Sequence, residues 1–260
     1  DHASIATEAK VIEKLSSESL LEFNDKTRYY HLPVPYNERL MYAASLSTTE
    51  YTIMIADDEF LIPSAIEKCI NELDNDKSLI SCFGAAVTFK NGNNEMLSTI
   101  AYPKLINYSL THNSQKDRMI YHMRNYVPST IYSIMRTSIW NDAMKCVGAG
   151  NVSDEYQIQG SEELIFELVS SYYGKSRFVP VLSWLRSEEN GQLPHEKPLL
   201  SFSDWWNNPS NKQLQSKMLR TISEIIVTSN DGSSIDGVNK IFEESFQAYT
   251  SKSKQRKTSI

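Results

Sequence analysis

Apolar residues in the first sixty positions switch between two spacings. Ser4–Leu15 combines good helix formers with an apolar repeat near 3.6 residues, which predicts a helix, and Thr27–Val34 reads as a short strand. Asn37–Leu46 returns to the helical spacing. Tyr51–Ala56 then predicts a strand whose run Ile53-Met-Ile-Ala56 is apolar at every position, as in a strand covered on both faces. Two such alternations favour βαβ units. Further along, Pro63 opens a helix over Ala65–Leu73, and Leu79–Phe89 is a strand turned by Asn91-Gly-Asn-Asn94. β-forming residues place another strand within Tyr126–Arg136, Glu162–Tyr173 is a helix stopped by Gly174, and Phe178–Leu185 is again strand-like. Beyond Asp204 the spacing is helical, interrupted at Ser229–Ser234. The expected fold class is α/β, with a mixed, mainly parallel sheet flanked by helices and a C-terminal helical extension. The expected boundaries are one domain over 1–200, the extension over 201–250 and a basic flexible tail over 251–260.

The chain has 260 residues, enough for one substantial core, and its 40% hydrophobic and 22% charged residues are those of a globular protein. A formal charge of −6 argues against a general nucleic-acid binder, which needs a cationic surplus over the phosphates. Three cysteines, Cys69, Cys82 and Cys146, are an odd number without metal-ligand spacing, so a reducing, cytoplasmic setting is expected rather than a disulfide framework. No apolar run approaches the ~20 residues of a membrane span. The basic end Lys252-Ser-Lys-Gln-Arg-Lys257 reads first as a solvated tail and second as a peripheral contact with an anionic membrane surface.

The chemistry-bearing stretch is Thr49-Glu-Tyr-Thr-Ile-Met-Ile-Ala-Asp-Asp-Glu-Phe-Leu-Ile-Pro63, a strand running into three acids. In open parallel sheets ligands bind beyond the carboxyl ends of strands, and Mg²⁺ or Mn²⁺ is typically held by one or two carboxylates together with substrate phosphates. The plainer alternative is that the acids favour the positive end of the following helix.

This stretch resembles the core of family 2 glycosyltransferases of the GT-A fold, a Rossmann-like architecture. There, a strand of Tyr and apolar residues ends in an Asp-x-Asp-Asp group followed by Pro. The resemblance implies that Asp58 holds Mn²⁺ or Mg²⁺ and that Asp57 lies beside the donor sugar nucleotide. Ala56 stands where the motif has its first Asp and Glu59 where it has its last, so a metal pair of Asp57 and Glu59 stays open. Gly160-Ser-Glu-Glu-Leu-Ile-Phe-Glu-Leu168 is similar to the family's second acidic motif, with Glu162 on its Glu and Glu163 on its Asp. The implied role of Glu163 is to take the acceptor hydroxyl's proton. Glu162 is the neighbouring candidate, and the plainer reading makes Ser161 an N-cap with acids in the first turn.

Arg186, after the strand that follows this helix, is implied to neutralise a departing diphosphate, and Arg136 has a similar family look. Trp140, Trp184, Trp205 and Trp206 offer sugar-stacking faces, with core packing the commoner use. His195 is the one histidine to watch. The family's first βα unit has no counterpart here, and Asp1-His-Ala-Ser4 is similar to the end of its second strand, which makes Asp1 a donor contact. The expectation is a metal-dependent, inverting transferase of polysaccharide biosynthesis. It would move a sugar from a nucleotide-diphosphate donor, a uridine diphosphate sugar first, to a glycan or lipid-linked acceptor. The alternative is a non-catalytic nucleotide- or carbohydrate-binding module on the same scaffold.

Overall fold

A computed structural model of the protein describes residues 30, 32–56, 59–92, 95–153, 155–189, 197–229 and 233–257, with side chains as far as 251. The chain divides into Asp1–Pro35 and Tyr36–Ile260. Of the first unit only Tyr30 and residues 32–35 are described, and they carry no helix or strand. The expected helix over Ser4–Leu15 and half of the expected strand over Thr27–Val34 lie outside the described residues; the described half, Tyr30 and 32–34, is not strand.

The second unit is mixed α/β. Helix α1 (Tyr36–Leu46) leads into the two-residue strand β1 (Tyr51–Thr52), then β2 (Glu59–Leu61) and α2 (Pro63–Asn75), which has Pro at its first turn as expected. The long hairpin β3 (Leu79–Asn91) and β4 (Met96–Ile100) follows, then α3 (Gln115–Arg124), β5 (Ile134–Arg136), α4 (Thr137–Val147), β6 (Gln157–Gln159), α5 (Ser161–Tyr173) and β7 (Lys175–Ser187). After β8 (Leu199–Ser201), three helices complete the unit: α6 (Phe202–Asn207), α7 (Lys212–Ser229) and α8 (Ile235–Lys257). The residues expected to form a tail are thus helical to Lys257.

The main sheet has the order β1-β5-β3-β7-β2, with β4 added to β3, while β6 and β8 form a separate parallel pair. Among the described residues only β3 and β7 run parallel within the main sheet; β1/β5, β3/β5, β3/β4 and β2/β7 are antiparallel. The expectation of a mainly parallel sheet is therefore corrected to a mixed, mostly antiparallel one. The reason lies in the connections, since antiparallel neighbours come from strands far apart in sequence as well as from hairpins, and residue spacing does not encode which strand lies beside which. Pro180, which cannot donate to a ladder, falls where the β3/β7 register shifts between Phe83 and Ala85, so the central pair absorbs it as an irregularity.

The apolar run at 53–56 is a second correction. Strand β1 ends at Thr52, Ile53 and Met54 are half-buried, and Ile55 and Ala56 are exposed. This run is the crossing between β1 and β2, which lie on opposite edges of the sheet. Four strand spacings of ~4.8 Å separate those edges. At the end of the crossing the Glu59 N–H bonds back to the Ala56 carbonyl at 3.3 Å.

Two apolar layers flank this sheet. On one face α2 covers a small cluster of Cys69, Leu73, Leu79, Cys82, Ile134 and Val179. On the other, Ile80 and Met135 face a larger core in which Trp140 and Cys146 of α4 and Phe166 of α5 meet Trp205, Ile222 and Phe246 of the C-terminal helices. The helical extension expected after 200 shares this core, and Trp140, Trp184, Trp205 and Trp206 are all buried. All three cysteines are free and buried, and burial pushes each thiol up to about 12.

Helix α5 carries Glu162 and Glu163 in its first turn, is buried from Leu164 to Tyr172 and is fixed at both ends. Gly160, not Ser161, is its N-cap, at φ 73° in the left-handed region that suits glycine. At its other end Gly174 is extended, and glycine is required there by space, because a Cβ would run into the Ile80 side chain. The buried Arg118 guanidinium donates to the Ser171, Tyr172 and His112 carbonyls, closing the C-terminus of α5.

Candidate functional site

The first turn of α5 places Glu162 and Glu163 at a pocket of about 160 Å³. Its apolar lining comes from Leu40 of α1, Met54 of the crossing segment, Ile131, Met144 and Val147 of α4 and Phe166 of α5. Ile131, Met144 and Phe166 are buried. Tyr36, Tyr132, Glu162 and Glu163 line the pocket too; Tyr36 is exposed, and the other three are half-buried, as Leu40 and Met54 are.

Each of the two acids has a defined partner. The Tyr126 hydroxyl donates a short hydrogen bond to Glu163 Oε1, and Ser161 Oγ donates to Glu162 Oε2 at 3.2 Å. Burial raises the Glu163 pKa above the usual carboxylate range, the Tyr126 hydrogen bond opposes this, nearby Glu167 adds to the rise and Arg186 counteracts it. Tyr126 itself is pushed well up, first by burial and then by the charges of Glu167 and Glu163, so it stays a donor.

Arg186 comes to this neighbourhood from β7. Antiparallel pairing sets it opposite Glu59 of β2, and parallel pairing sets it beside Thr88 of β3. Its Nε lies 3.8 Å from Glu59 Oε1, and its Nη1 donates to the Tyr102 hydroxyl at 2.5 Å. Glu59 is buried, and its Oε2 accepts the Ala56 N–H at 3.0 Å. Tyr102 and Tyr132 both stack against the Trp184 indole, with centroids 5.8 and 4.4 Å away. Burial raises the pKa of Tyr36, Tyr102 and Tyr132. Each also feels Glu59, while Tyr36 feels Glu162 and Tyr102 feels Glu163. Residues 59, 102, 132, 162, 163 and 186 thus share one electrostatic neighbourhood.

Of the expected site residues, Glu162 and Glu163 line the pocket, and Glu59 and Arg186 face each other across β2 and β7. Asp1, Asp57, Asp58 and His195 lie outside the described residues. Among the described residues no three of His, Cys, Asp and Glu gather in a way that could hold a metal ion. The Glu59 carboxylate has the Ala56 N–H at 3.0 Å from one oxygen and the Arg186 guanidinium 3.8 Å from the other. Asp57 and Asp58, between Ala56 and Glu59 in sequence, are hard oxygen donors of the kind that suits Mg²⁺ or Mn²⁺. Arg136 is in different surroundings: its Nε donates to the Leu79 carbonyl at 2.9 Å, its Nη2 to that of Leu73, and its guanidinium lies 5.7 Å from the Tyr51 ring centroid. It joins α2 to the sheet.

Neither the tyrosines of the site, Tyr36, Tyr102, Tyr126 and Tyr132, nor a buried acid of α5 stood out in the sequence. Glu167, one turn beyond Glu163, is fully buried, and its Oε1 accepts three consecutive backbone N–H groups, of Ser129 at 2.9 Å, Thr130 at 2.7 Å and Ile131 at 2.9 Å. Its Oε2 lies 2.9 Å from His122 Nε2, and His122 Nδ1 lies 2.7 Å from the Tyr108 hydroxyl. The cage ties the 126–133 segment, with Tyr126, Ile131 and Tyr132, to α5. A lone acid in Leu-Ile-Phe-Glu-Leu-Val was the available signal, because a buried carboxylate demands several donors.

Comparison with protein-family models and with curated proteins finds no match for the chain.

Proposed function

We propose that the protein is a metal-dependent, inverting glycosyltransferase related to family 2 enzymes of the GT-A fold, acting on a nucleotide-diphosphate sugar. The observation that supports this reading is that Glu162 and Glu163 line one pocket while Arg186, whose charge acts on Glu163, faces Glu59, the residue that directly follows Asp57 and Asp58 in sequence. The parallel β3/β7 pair between two apolar layers is compatible with that fold.

In this reading the acceptor oxygen bonds to the anomeric carbon as the bond from that carbon to the diphosphate breaks. Glu163 receives the hydroxyl proton, and a raised pKa suits a group that must hold a proton on transfer. Arg186, held by Glu59 and Tyr102, supplies a fixed positive charge toward the leaving diphosphate. Asp58 would hold Mn²⁺ or Mg²⁺, with Asp57 against the donor and Glu59 left to orient Arg186. The ion, when bound, supplies charge neutralisation to the phosphates.

The test is Mn²⁺-dependent turnover of uridine diphosphate sugars, combined with calorimetric donor binding. Glu163→Gln is expected to bind donor normally and lose about 10²–10⁴-fold in transfer, whereas Asp58→Asn loses the metal-dependent part of donor binding. Donor binding without turnover in the unsubstituted chain would make it a binding module. Normal turnover in Glu163→Gln would remove Glu163 from the mechanism.

A further inference from the structure

Strand β4 is an edge of the main sheet, paired only with β3 among the described residues, and its hydrogen-bonding groups fall into two rows. The Ala101 N–H donates to the Ala86 carbonyl at 2.9 Å and the Gly92 N–H to the Glu95 carbonyl at 2.7 Å, so both ends of the hairpin ladder are hydrogen-bonded pairs. Antiparallel pairs alternate, which assigns the N–H and C=O groups of Leu97 and Thr99 to β3 and turns those of Met96, Ser98 and Ile100 away from it. All 5 residues of the strand are exposed, Met96 to 69% and Ile100 to 54%. Sheet edges are ordinarily kept from pairing by a charge, a proline, a bulge or a covering element. Met96-Leu-Ser-Thr-Ile100 is uncharged, lacks proline and pairs with β3 in unbroken register.

A second copy of the same strand fits this outward row. Turned about a two-fold axis at Ser98, it sets Met96 against the partner's Ile100 and Ser98 against its own counterpart, pairs in which the outward groups meet and both N–H···O bonds form. No other two-fold register pairs the whole strand. Met96, Ser98 and Ile100 lie on the sheet face that holds Phe89, whose ring is 6.1 Å from that of the exposed Phe60. The pairing therefore joins two exposed apolar stripes and sets apolar side chains against each other across the junction. The nearest charge in sequence, Glu95, falls opposite the partner's Ala101. At ~3.4 Å per residue this puts it about 20 Å along the ladder from the partner's Glu95, beyond the ~8 Å screening length, so no like charges are set together.

We propose that β4 is a homodimerisation edge, through which two copies of this chain join antiparallel over Met96–Ile100 into one continuous sheet. The pairing occupies the same edge in both copies and so closes at two. It does not depend on the transferase reading. A junction of one short strand pair is at the small end of specific interfaces, so the dimer forms and parts with concentration.

Sedimentation equilibrium of the full chain across the micromolar range tests this: the average mass should climb from 29.7 kDa toward twice that value. The amides of Met96, Ser98 and Ile100 should gain protection from hydrogen exchange as the chain is concentrated, while those of Leu97 and Thr99 are protected throughout. Ser98→Pro removes an N–H that the β3/β4 ladder does not use, and it should weaken association at least ~10-fold because both bonds of the axis pair are lost. Ser98→Lys and Ser98→Glu each set like charges about 5.5 Å apart at Cα across the axis and should weaken self-association, whereas an equimolar mixture of the two restores it. Variants are compared where they melt as the parent does; the exchange pattern of the unsubstituted chain needs none of them. A mass that stays at the monomer value overturns the assignment in favour of a strand from a different protein. A dimer without added protection at Met96, Ser98 and Ile100, or one that all three substitutions leave intact, overturns it in favour of another surface.

Discussion

Glu163 is under opposing influences, and their balance has a measurable sign. Because burial raises its pKa, the folded chain holds this proton more tightly than the unfolded chain does. Stability therefore falls as pH climbs from the usual carboxylate value to the raised folded value, and above it the full cost of the buried charge is present. Glu163→Gln carries no such charge and can still accept from Tyr126. At pH 7 this variant should melt above the parent, and the gap should close as pH drops below ~4.3; thermal melts across pH 3.5–7.5 check it. A variant that is inactive yet more stable would separate a proton acceptor from a helix-end acid, whose removal lowers stability instead. The acid pair was legible because it opens a strongly apolar helix. The Arg186 partnership with Glu59 was not, since it depends on strand register.

At the scale of elements, the chief coupling is between α5 and the 126–133 segment. Sequence patterning assigned strand character to Tyr126–Arg136, yet only Ile134–Arg136 pairs, because Glu167 takes the N–H groups of Ser129, Thr130 and Ile131 that a ladder would otherwise use. Local propensity reports what a segment would prefer, and here a distant carboxylate overrides it. Glu167→Ala would orphan three buried N–H groups and the His122 ring, so it should cost at least ~3 kcal/mol in denaturant unfolding, and amide exchange at 129–131 should accelerate before that elsewhere. Helix α2, with Pro63 at its start, and the β3/β4 hairpin around Asn91–Asn94 were legible for the opposite reason: their signals are local turn chemistry.

For the molecule as a whole, the alternation of helices and strands conveyed the α/β class but not the arrangement, since the crossing at 53–56 carries an apolar run that a buried strand would also show. Two flanking layers on one sheet have a consequence for how the protein comes apart. Among its free thiols, Cys69 and Cys82 belong to the layer under α2 and Cys146 to the helical block. With each thiol held up to about 12 and shielded from solvent, none should react with an alkylating reagent until its own layer opens. The chain therefore carries its own set of timers: in dilute urea, iodoacetamide labelling followed by peptide mass spectrometry should mark the two layers separately. A common rate at all three sites means that the layers unfold as one cooperative unit. Earlier labelling at Cys69 and Cys82 means that α2 lifts from the sheet while the block holding α5 and its acids stays closed.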